Sequence, residues 1–185
     1  KGMKIAIIDT GIDEDHPSFA ALEESQLSEY SATLADVSSV FEQLNAYQKH
    51  EFFWGETLTP GEVYRNSKIP YGFNYAYAES NVGHYDGNDH GTHVAGIAAG
   101  NDFEGAEMCG VAPAAQLYVM KVFSGSLAYT EDIIAAVEDS MILGADVINM
   151  SLGETAGFSS GGEYLDQIYG RVSETGTILV VAAGN

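Results

Sequence analysis

Four short apolar segments, separated by longer polar or helical stretches, constrain the fold of this chain more than any other feature. Continuous apolar runs of this length are typical of strands that are buried on both faces of a sheet. The segments are MKIAIID (3–9), QLYVMKVF (116–123), ADVINMSL (145–152) and TILVVAA (177–183).

Helical periodicity separates the last three apolar segments. Thr130 is placed to N-cap one helix, which Gly144 would end, and Gly176 would end a second. The alternation predicts right-handed crossovers, and so an α/β fold with a parallel central sheet and helices on both faces. Functional sites in such sheets gather at the carboxyl ends of the strands. The apolar helix faces are Ile133, Ile134, Val137 and Met141, then Tyr164, Leu165, Ile168, Tyr169 and Val172.

Residues 20–83 interrupt this pattern, and we interpret them as an insertion within one domain that spans 1–185. The motif FFW (52–54) adds bulky apolar surface to the segment. Such an insertion either packs on the main domain or forms a rim that shapes access to a cleft. A single helical face is predicted from Leu34, Val37, Val40, Phe41, Leu44 and Tyr47.

The charge balance excludes some classes of partner. The chain has 27 acidic and 7 basic residues and a net charge of −20, so nucleic acid and anionic membrane surfaces are not expected to bind it. The acidity fits either solubility or cation binding, above all of calcium. No apolar run reaches the roughly 20 residues of a membrane span. Cys109 is the single cysteine, and we interpret it as a small buried hydrophobe.

Three polar features coincide with predicted strand ends. Asp9 ends the first strand in IIDTGID, where Gly11 lets the backbone turn away from a cleft. Asp89 is placed to cap a helix that starts at His90 in DHGTHVAGIAAG. Asn185 follows the last strand, where its amide could donate to charge developing on a substrate oxygen. Small residues would let the helix pack closely on the sheet: Gly91, Ala95, Gly96, Ala98, Ala99 and Gly100.

The two histidines of this motif do not have the spacing of a zinc site. Zinc-binding histidines on a helix stand at i and i+4 with a glutamate between them, whereas His90 and His93 stand at i and i+3 without one. We therefore predict no metal here and interpret His93 as a buried structural residue. His16, His50 and His84 are expected on the surface or in loops.

The motifs IIDTGID, HGTHVAG, GVAPAAQL, INMSLG and VVAAGN stand in the order and spacing of the subtilisin-like serine proteases. The resemblance covers the chain apart from about residues 20–67. IPYGFNYA and AVEDSMILGADVINMSLG are most similar to the cell-envelope proteinases of Gram-positive bacteria, the lactocepin and C5a-peptidase branch. The resemblance implies a secreted or wall-anchored endopeptidase that acts on polypeptides.

The resemblance also assigns roles to residues. It implies that Asp9 orients the imidazole of His90, that His90 is the general base and then acid, and that Asn185 is the oxyanion-hole donor. Two segments would pair with an extended substrate, Ser124-Gly125-Ser126 and Ser151-Leu152-Gly153. The floor of the specificity pocket would consist of Ala182, Ala183 and Gly184.

The serine motif of this family, GTSMA, is absent from the sequence. We therefore expect this chain alone to be inactive, and the nucleophile to come from a downstream segment or chain. The alternative is a non-catalytic binding or scaffold protein with the same fold. The chemistry requires no cofactor. Ser18 replaces a calcium-binding aspartate of the family and the loop 101–107 differs from the usual one, so we predict that this calcium site is lost, while structural calcium elsewhere in a full protein stays open.

Overall fold

The computed structural model describes residues 1–83, 88–103, 105, 108–153 and 162–183, and of 162–166 the backbone only. The strands are β1 (Lys4–Asp9), β2 (Tyr71–Asn74), β3 (Gln116–Lys121), β4 (Phe123–Ser124), β5 (Leu127–Ala128), β6 (Val147–Met150) and β7 (Ile178–Val181). The α-helices are α1 (Leu34–Val40), α2 (Asn45–Trp54), α3 (Pro60–Val63), α4 (His90–Ala99), α5 (Thr130–Ile142) and α6 (Gly162–Glu174). Short 3₁₀ turns lie at Pro17–Phe19, Glu24–Gln26 and Phe41–Gln43.

Five strands form the central sheet in the order β2-β3-β1-β6-β7, and every pairing between them is parallel. The central strand β1 pairs with β3 on one side and β6 on the other, so that Ala6 lies between Tyr118 and Ile148. The four predicted strands and both predicted crossover helices are confirmed. The α/β fold class is therefore confirmed as well.

Successive side chains of a strand point to opposite sides of the sheet. Both faces therefore carry apolar side chains, and helices cover both of them. On one face, Ile7 packs in a buried cluster with Ala95 and Ala99 of α4. On the other face, Ala6 and Ile8 pack with α5, α6 and the segment that precedes β2. The face of α4 that carries small side chains packs against the sheet, so the first turn of the helix lies against the end of β1. Gly96, by contrast, faces open space, since a Cβ built there meets no atom within 4 Å.

The inserted segment contains two short helices and a turn where its sequence pattern predicts one continuous helix. The chain turns at Phe41–Gln43 and is extended at Leu44 (φ −74°, ψ 140°), so the single predicted helix is wrong. The carboxylate of Asp139 accepts hydrogen bonds from the backbone N–H groups of Asn45 and Ala46 at 2.7 and 2.9 Å. These bonds satisfy the first amides of α2 and start a new helix there. Strand β2 lies within residues 20–83, so the end of that segment is part of the central sheet.

Helix α5 begins one residue earlier than predicted. Thr130 is the first helical residue, and Tyr129 is the N-cap without a side-chain hydrogen bond. The predicted capping by Thr130 is therefore wrong. Glu131 and Asp132 lie in the first turn, where negative charge complements the helix dipole. Gly144 ends the helix with a φ of +71°, as predicted.

Two other expectations about burial are wrong. The side chain of His93 is 73% exposed because it projects from the outer side of α4, and Cys109 is also exposed. His16 is exposed as expected, and His50 is half-buried on α2, whereas His84 lies outside the described residues. Within the part of the chain that the structure describes, no helix is long and apolar enough to span a membrane.

Candidate active site

Asp9 is the last residue of β1, and its carboxylate is buried at the edge where a site was expected. The residue is 1% exposed. Its Oδ1 accepts a hydrogen bond from the backbone N–H of Thr10 at 2.7 Å and lies 2.8 Å from Nδ1 of His90. Within the described residues, Oδ2 has no hydrogen-bond partner. A buried carboxylate in this position fixes the orientation of the imidazole ring.

His90 is the first residue of α4 and the more accessible member of this pair. Its side chain is 52% exposed, compared with 2% for that of Asp9. We assign the ring proton to Nδ1, because that nitrogen faces a carboxylate acceptor. Nε2 is then the basic nitrogen. A half-exposed imidazole that is oriented by a buried carboxylate has the arrangement of a general base.

Two glycines allow the first turn of α4 to approach the end of β1. Gly11 has a φ of +103°, a conformation that favours glycine. A Cβ on Gly91 would lie 2.2 Å from the carbonyl oxygen of Gly11 and 3.1 Å from Oδ1 of Asp9. A side chain at Gly91 would push the helix away from Asp9, whereas one at Gly11 would meet the carbonyl oxygen of Val82 at 2.4 Å, so Gly91 limits the distance between Asp9 and His90.

Thr10 and Thr92 hold the same junction together, and the sequence interpretation missed them. The Oγ1 of Thr10 accepts the backbone N–H of Gly91 at 3.0 Å, and the Oγ1 of Thr92 accepts that of Asp13 at 2.9 Å. Asp89 occupies the N-cap position, but its side chain makes no capping hydrogen bond. The predicted capping role of Asp89 is therefore wrong, and Thr10 satisfies an early amide of the helix from β1 instead.

Lys121 is a third residue that the sequence interpretation missed. It is the register partner of Asp9 on β3 and is 1% exposed. Its ammonium group donates to the carbonyl oxygen of Gly83, and burial lowers the pKa of Lys121 to about 8. The apolar segments 3–9 and 116–123 carry Asp9 and Lys121 near their ends. Pairing these two segments as neighbouring strands could have placed this cation beside Asp9.

The first expected substrate segment forms a tight hairpin next to β3. Ser124 ends β4, Gly125 has a φ of +60°, and Ser126 leads into β5. The Oγ of Ser124 lies 2.7 Å from the phenolic oxygen of Tyr77. Gly125 and Ser126 are exposed. The segment is thus a β-turn between two short antiparallel strands, with an exposed tip.

The second expected substrate segment follows β6 at the same edge of the sheet as Asp9. The Oγ of Ser151 accepts a hydrogen bond from Nδ2 of Asn149 at 3.0 Å. Leu152 is 8% exposed and Gly153 is exposed. Ala182 and Ala183 follow β7 and are exposed. Gly184 and Asn185 lie outside the described residues, so the geometry of the expected oxyanion donor is not described.

The loop expected to have lost a calcium site is joined to the segment around Ser18. The backbone N–H of Asn101 donates to the carbonyl oxygen of Ser18 at 2.8 Å, and Nδ2 of Asn101 donates to that of Ala20 at 2.7 Å. The Oδ1 of Asn101 is buried without a hydrogen-bond partner in the described ranges. Those ranges contain no group of three His, Cys, Asp or Glu side chains that could hold a metal ion.

The sequence model of the subtilase family, Peptidase_S8, matches residues 1–185 of this chain. The PI-type proteinase of Lactococcus lactis subsp. cremoris is 34% identical over 193 residues, which are 100% of this chain and 9% of that protein. The C5a peptidase of Streptococcus pyogenes is 29% identical over 191 residues, or 100% of this chain and 15% of that protein. The chain therefore spans a small part of the length of these curated relatives.

Solved structures show the same fold. The nisin leader peptidase NisP from Lactococcus lactis has a TM-score of 0.53 and 24% identity, and the match covers 100% of this chain and 44% of that one. The epidermin leader peptide processing protease EpiP from Staphylococcus aureus, as its S393A mutant, has a TM-score of 0.58 and 21% identity over 99% and 37% of the two chains. The full-length family match and the sequence relatives place this chain in the subtilase family of serine proteases.

Proposed function

We propose that this chain supplies part of the active site of a serine endopeptidase, in which Asp9 orients His90 and His90 acts as the general base. The observation that carries the proposal is the 2.8 Å contact between Oδ1 of Asp9 and Nδ1 of His90. This contact joins a buried carboxylate to a half-exposed imidazole at the carboxyl edge of a parallel sheet. In this pair the carboxylate is shielded from solvent while the imidazole remains accessible to a reacting group.

The nucleophile in this proposal is a serine on a segment downstream of the chain. His90 removes the proton from the serine hydroxyl as the oxygen attacks the peptide carbonyl, and then gives that proton to the leaving amine. Asp9 stabilises the imidazolium that forms between these steps. The amide of Asn185 donates to the oxyanion, and its replacement by alanine is expected to lower kcat by about 10²- to 10³-fold.

Two exposed apolar surfaces support a downstream partner segment. Strand β7 is the last strand of the described sheet, and Ile178, Val180 and Val181 on it are 62%, 47% and 46% exposed. On α4, Ile97 is 71% exposed. Apolar side chains on an unpaired strand edge normally pack against further structure. We infer that the serine-bearing segment packs against β7 and α4, and that it covers His93 on the same helix.

The substrate in this proposal is a polypeptide in extended conformation. It pairs with Ser124–Ser126 on one side and with Ser151–Gly153 on the other, while Ala182, Ala183 and Gly184 line the pocket for the residue before the cut. Main-chain pairing of this kind gives affinity without requiring one sequence. The named relatives, the PI-type proteinase of Lactococcus lactis and the C5a peptidase of Streptococcus pyogenes, support the proposal of a secreted or wall-anchored Gram-positive enzyme.

The decisive experiment uses co-expression of this chain with the downstream segment, followed by a fluorophosphonate probe that labels activated serines. We expect the label on the downstream segment and its loss in His90→Ala. Label on this chain would contradict the proposal. Absence of any label, together with a downstream segment that contains no serine motif, would favour the alternative of a non-catalytic binding or scaffold protein.

We propose in addition that the calcium site near Ser18 is lost. A serine hydroxyl in place of a carboxylate removes the formal charge that calcium sites use. The buried Oδ1 of Asn101, by contrast, is an oxygen that could ligate a cation. Calorimetric titration of the metal-free protein with calcium tests this directly. Binding that disappears in Asn101→Ala would contradict the proposal.

A further inference from the structure

A cavity of about 440 Å³ lies between the inserted segment and the first turn of α5. We call it the α2 cavity. Phe53 on α2 forms one wall, Tyr77 after β2 a second, and Tyr129 before α5 a third. None of the residues Ser151–Gly153 lines it. The α2 cavity is therefore separate from the pocket expected between the two substrate segments.

The aromatic walls of the α2 cavity are accessible and held in place. Phe53, Tyr129 and Tyr77 are 63%, 61% and 45% exposed. The carbonyl oxygen of Ala78 accepts hydrogen bonds from Nε1 of Trp54 at 2.9 Å and from Nδ1 of His50 at 2.8 Å. These two bonds fix α2 against the segment that carries Tyr77. Several exposed aromatic side chains around one preformed cavity are typical of an interaction site.

The charges at the α2 cavity favour a basic group in the occupant. Lys49 donates to the carboxylate of Asp132, so this cation is neutralised within the wall. Glu131 also lines the cavity and is exposed, and within the described residues no cation forms a salt bridge with it. The net charge of −20 acts in the same direction.

The α2 cavity is continuous with the hairpin that is proposed to pair with substrate. The phenolic oxygen of Tyr77 lies 2.7 Å from Oγ of Ser124, and Tyr129 follows directly after β5. A polypeptide that runs along Ser124–Ser126 away from Asp9 and His90 passes this wall. The occupant that fits is thus the part of the substrate upstream of the cleaved bond.

We propose that the α2 cavity is a docking site for the upstream segment of a polypeptide substrate, and that it binds a large apolar side chain next to a basic one. The proposal rests on the proposed function, because that function defines the direction of the substrate. The inserted segment then acts in substrate selection, since α2 supplies the wall that contains Phe53. Tight binding at the α2 cavity would favour the cleavage of particular polypeptides, although the cavity itself does not contact the cleaved bond.

The first test measures binding without cleavage. The full-length protein that contains this chain, as its His90→Ala variant, is titrated into a fluorescein-labelled Gly/Ser peptide that contains one Phe-Arg pair. Fluorescence anisotropy gives its Kd, and the same peptide without the pair is the reference. We expect Phe53→Ala to weaken binding about tenfold, because an aromatic anchor leaves its pocket. Glu131→Gln should weaken it less and make it less sensitive to salt.

Phe52→Ala is the matched control, because Phe52 is the neighbouring aromatic on α2, is 83% exposed and does not line the cavity. It should bind the peptide like its parent. Equal effects of Phe52→Ala and Phe53→Ala would overturn the proposal, as would equal binding of the peptides with and without the pair. A lower melting temperature in Phe53→Ala with unchanged peptide binding would also overturn it, since another part of the protein would then fill the cavity.

The second test separates this proposal from the proposed function. In the His90-containing protein, Phe53→Ala should raise KM for a substrate with an upstream Phe-Arg pair and leave kcat unchanged, while fluorophosphonate labelling stays intact. If labelling fails but the anisotropy difference remains, the endopeptidase proposal is wrong and the binding site stands. If labelling succeeds and neither KM nor Kd depends on Phe53, the docking site is wrong and the endopeptidase stands.

Discussion

Two buried aspartates in this chain are surrounded in different ways. Asp9 at the end of β1 is 1% exposed and Asp139 on α5 is 0% exposed. The carboxylate of Asp139 accepts four hydrogen bonds, from the backbone and side chain of Asn45, from the backbone of Ala46 and from the hydroxyl of Tyr75. Asp9 accepts one from its neighbour Thr10 and faces His90, while its Oδ2 has no partner in the described residues.

The difference separates a structural carboxylate from one that directs chemistry. Every partner of Asp139 is fixed in the core or in the inserted segment, so the hydrogen bonds of its carboxyl group attach that segment to α5. Burial raises the pKa of Asp139 to about 6, although the hydrogen bonds from Ala46 and Asn45 act in the opposite direction. Asp9 contacts an imidazole that is half open to solvent and to substrate. Loss of Asp9 should therefore affect catalysis, and loss of Asp139 should affect stability.

The largest effect is expected from Asp9→Asn. The amide presents an N–H group where the ring of His90 needs an acceptor, so the wrong imidazole tautomer is favoured and kcat should fall by about 10⁴-fold. Steady-state hydrolysis by the full-length protein measures the loss. Asp139→Asn is the matched control, since it makes the same change at another buried aspartate, and it should retain kcat. Similar losses in both variants would contradict the distinction between the two sites.

The position of Asp9 at a strand end was predicted from local sequence, whereas its pairing with His90, 81 residues later in the chain, was expected only from the family resemblance. A strand followed by Asp-Thr-Gly places a carboxylate at a sheet edge, and Gly91 after His90 permits the close approach of α4. The partners of Asp139 are similarly distant, Asn45 at 94 and Tyr75 at 64 residues earlier in the chain, but no motif in the sequence marks them. The same limit explains the error in the helix predicted across Phe41, where a distant carboxylate starts α2 afresh.

Burial was less predictable than strand position for residues on outer surfaces. The small, apolar surroundings of Cys109 in sequence favoured burial, yet a residue is buried only if another element covers it. His93 and Ile97 lie on the outer side of α4, and nothing in the described part of the chain packs over them to the extent that β1 covers Ala95. Sequence periodicity gives the face of a helix, but the partner of that face depends on the rest of the protein.

The second largest effect is expected from Asp139→Ala. Removal of this carboxylate leaves the amides of Asn45 and Ala46 without an acceptor and leaves the hydroxyl of Tyr75 only its longer contacts with Tyr71 and Met120, which should lower the free energy of unfolding by about 3 to 4 kcal/mol. Guanidinium unfolding measures the change. Asp36→Ala is the control, because exposed Asp36 also closes a helix cap but should cost only about 1 kcal/mol. Equal losses would show that Asp139 does not attach the inserted segment.

A smaller effect is expected in the pH dependence of stability. The pKa of Asp139 is raised from 3.8 to about 6 by burial, so the folded state binds this proton more tightly than the unfolded state. The contribution is complete below the unfolded pKa and is lost as pH rises through about 6. Relative to Asp139→Asn, the parent protein should lose about 2 to 3 kcal/mol of stability between pH 4 and 7. Glu138, Tyr71 and Tyr75 lie nearby and remain in both proteins.

This comparison needs the Asp139→Asn variant as a reference because the other acidic residues also titrate. The backbone N–H groups of Asn45 and Ala46 bind different oxygens of Asp139, so the amide of that variant keeps an acceptor for one of them, and the loss of the other bond does not depend on pH. The difference between the two unfolding free energies then isolates the charge at this position. A difference that is constant from pH 4 to 7 would contradict the raised pKa, and one that grows in favour of the parent protein would contradict its direction.

The smallest effect is expected from Lys49→Met, which tests the second attachment between the inserted segment and α5. Lys49 donates to the carboxylate of Asp132, whose pKa is raised by burial and held down in part by this lysine. Without the cation the carboxylate stays 4% exposed and unpaired, so stability at neutral pH should fall by about 1 kcal/mol. Chemical unfolding at several pH values measures the loss.

The loss in Lys49→Met should disappear in acid, because a protonated Asp132 gains little from the ammonium group in either protein. Lys4→Met is the matched control: the pair of Lys4 with Asp146 is longer, at 3.6 Å, and Asp146 is 35% exposed, so its removal should cost less. If Lys4→Met costs as much as Lys49→Met, the burial of Asp132 does not strengthen its ion pair. The attachment of α2 to α5 would then depend mainly on the hydrogen bonds of Asn45 and Ala46 to Asp139 and on that of Asn45 to Glu138.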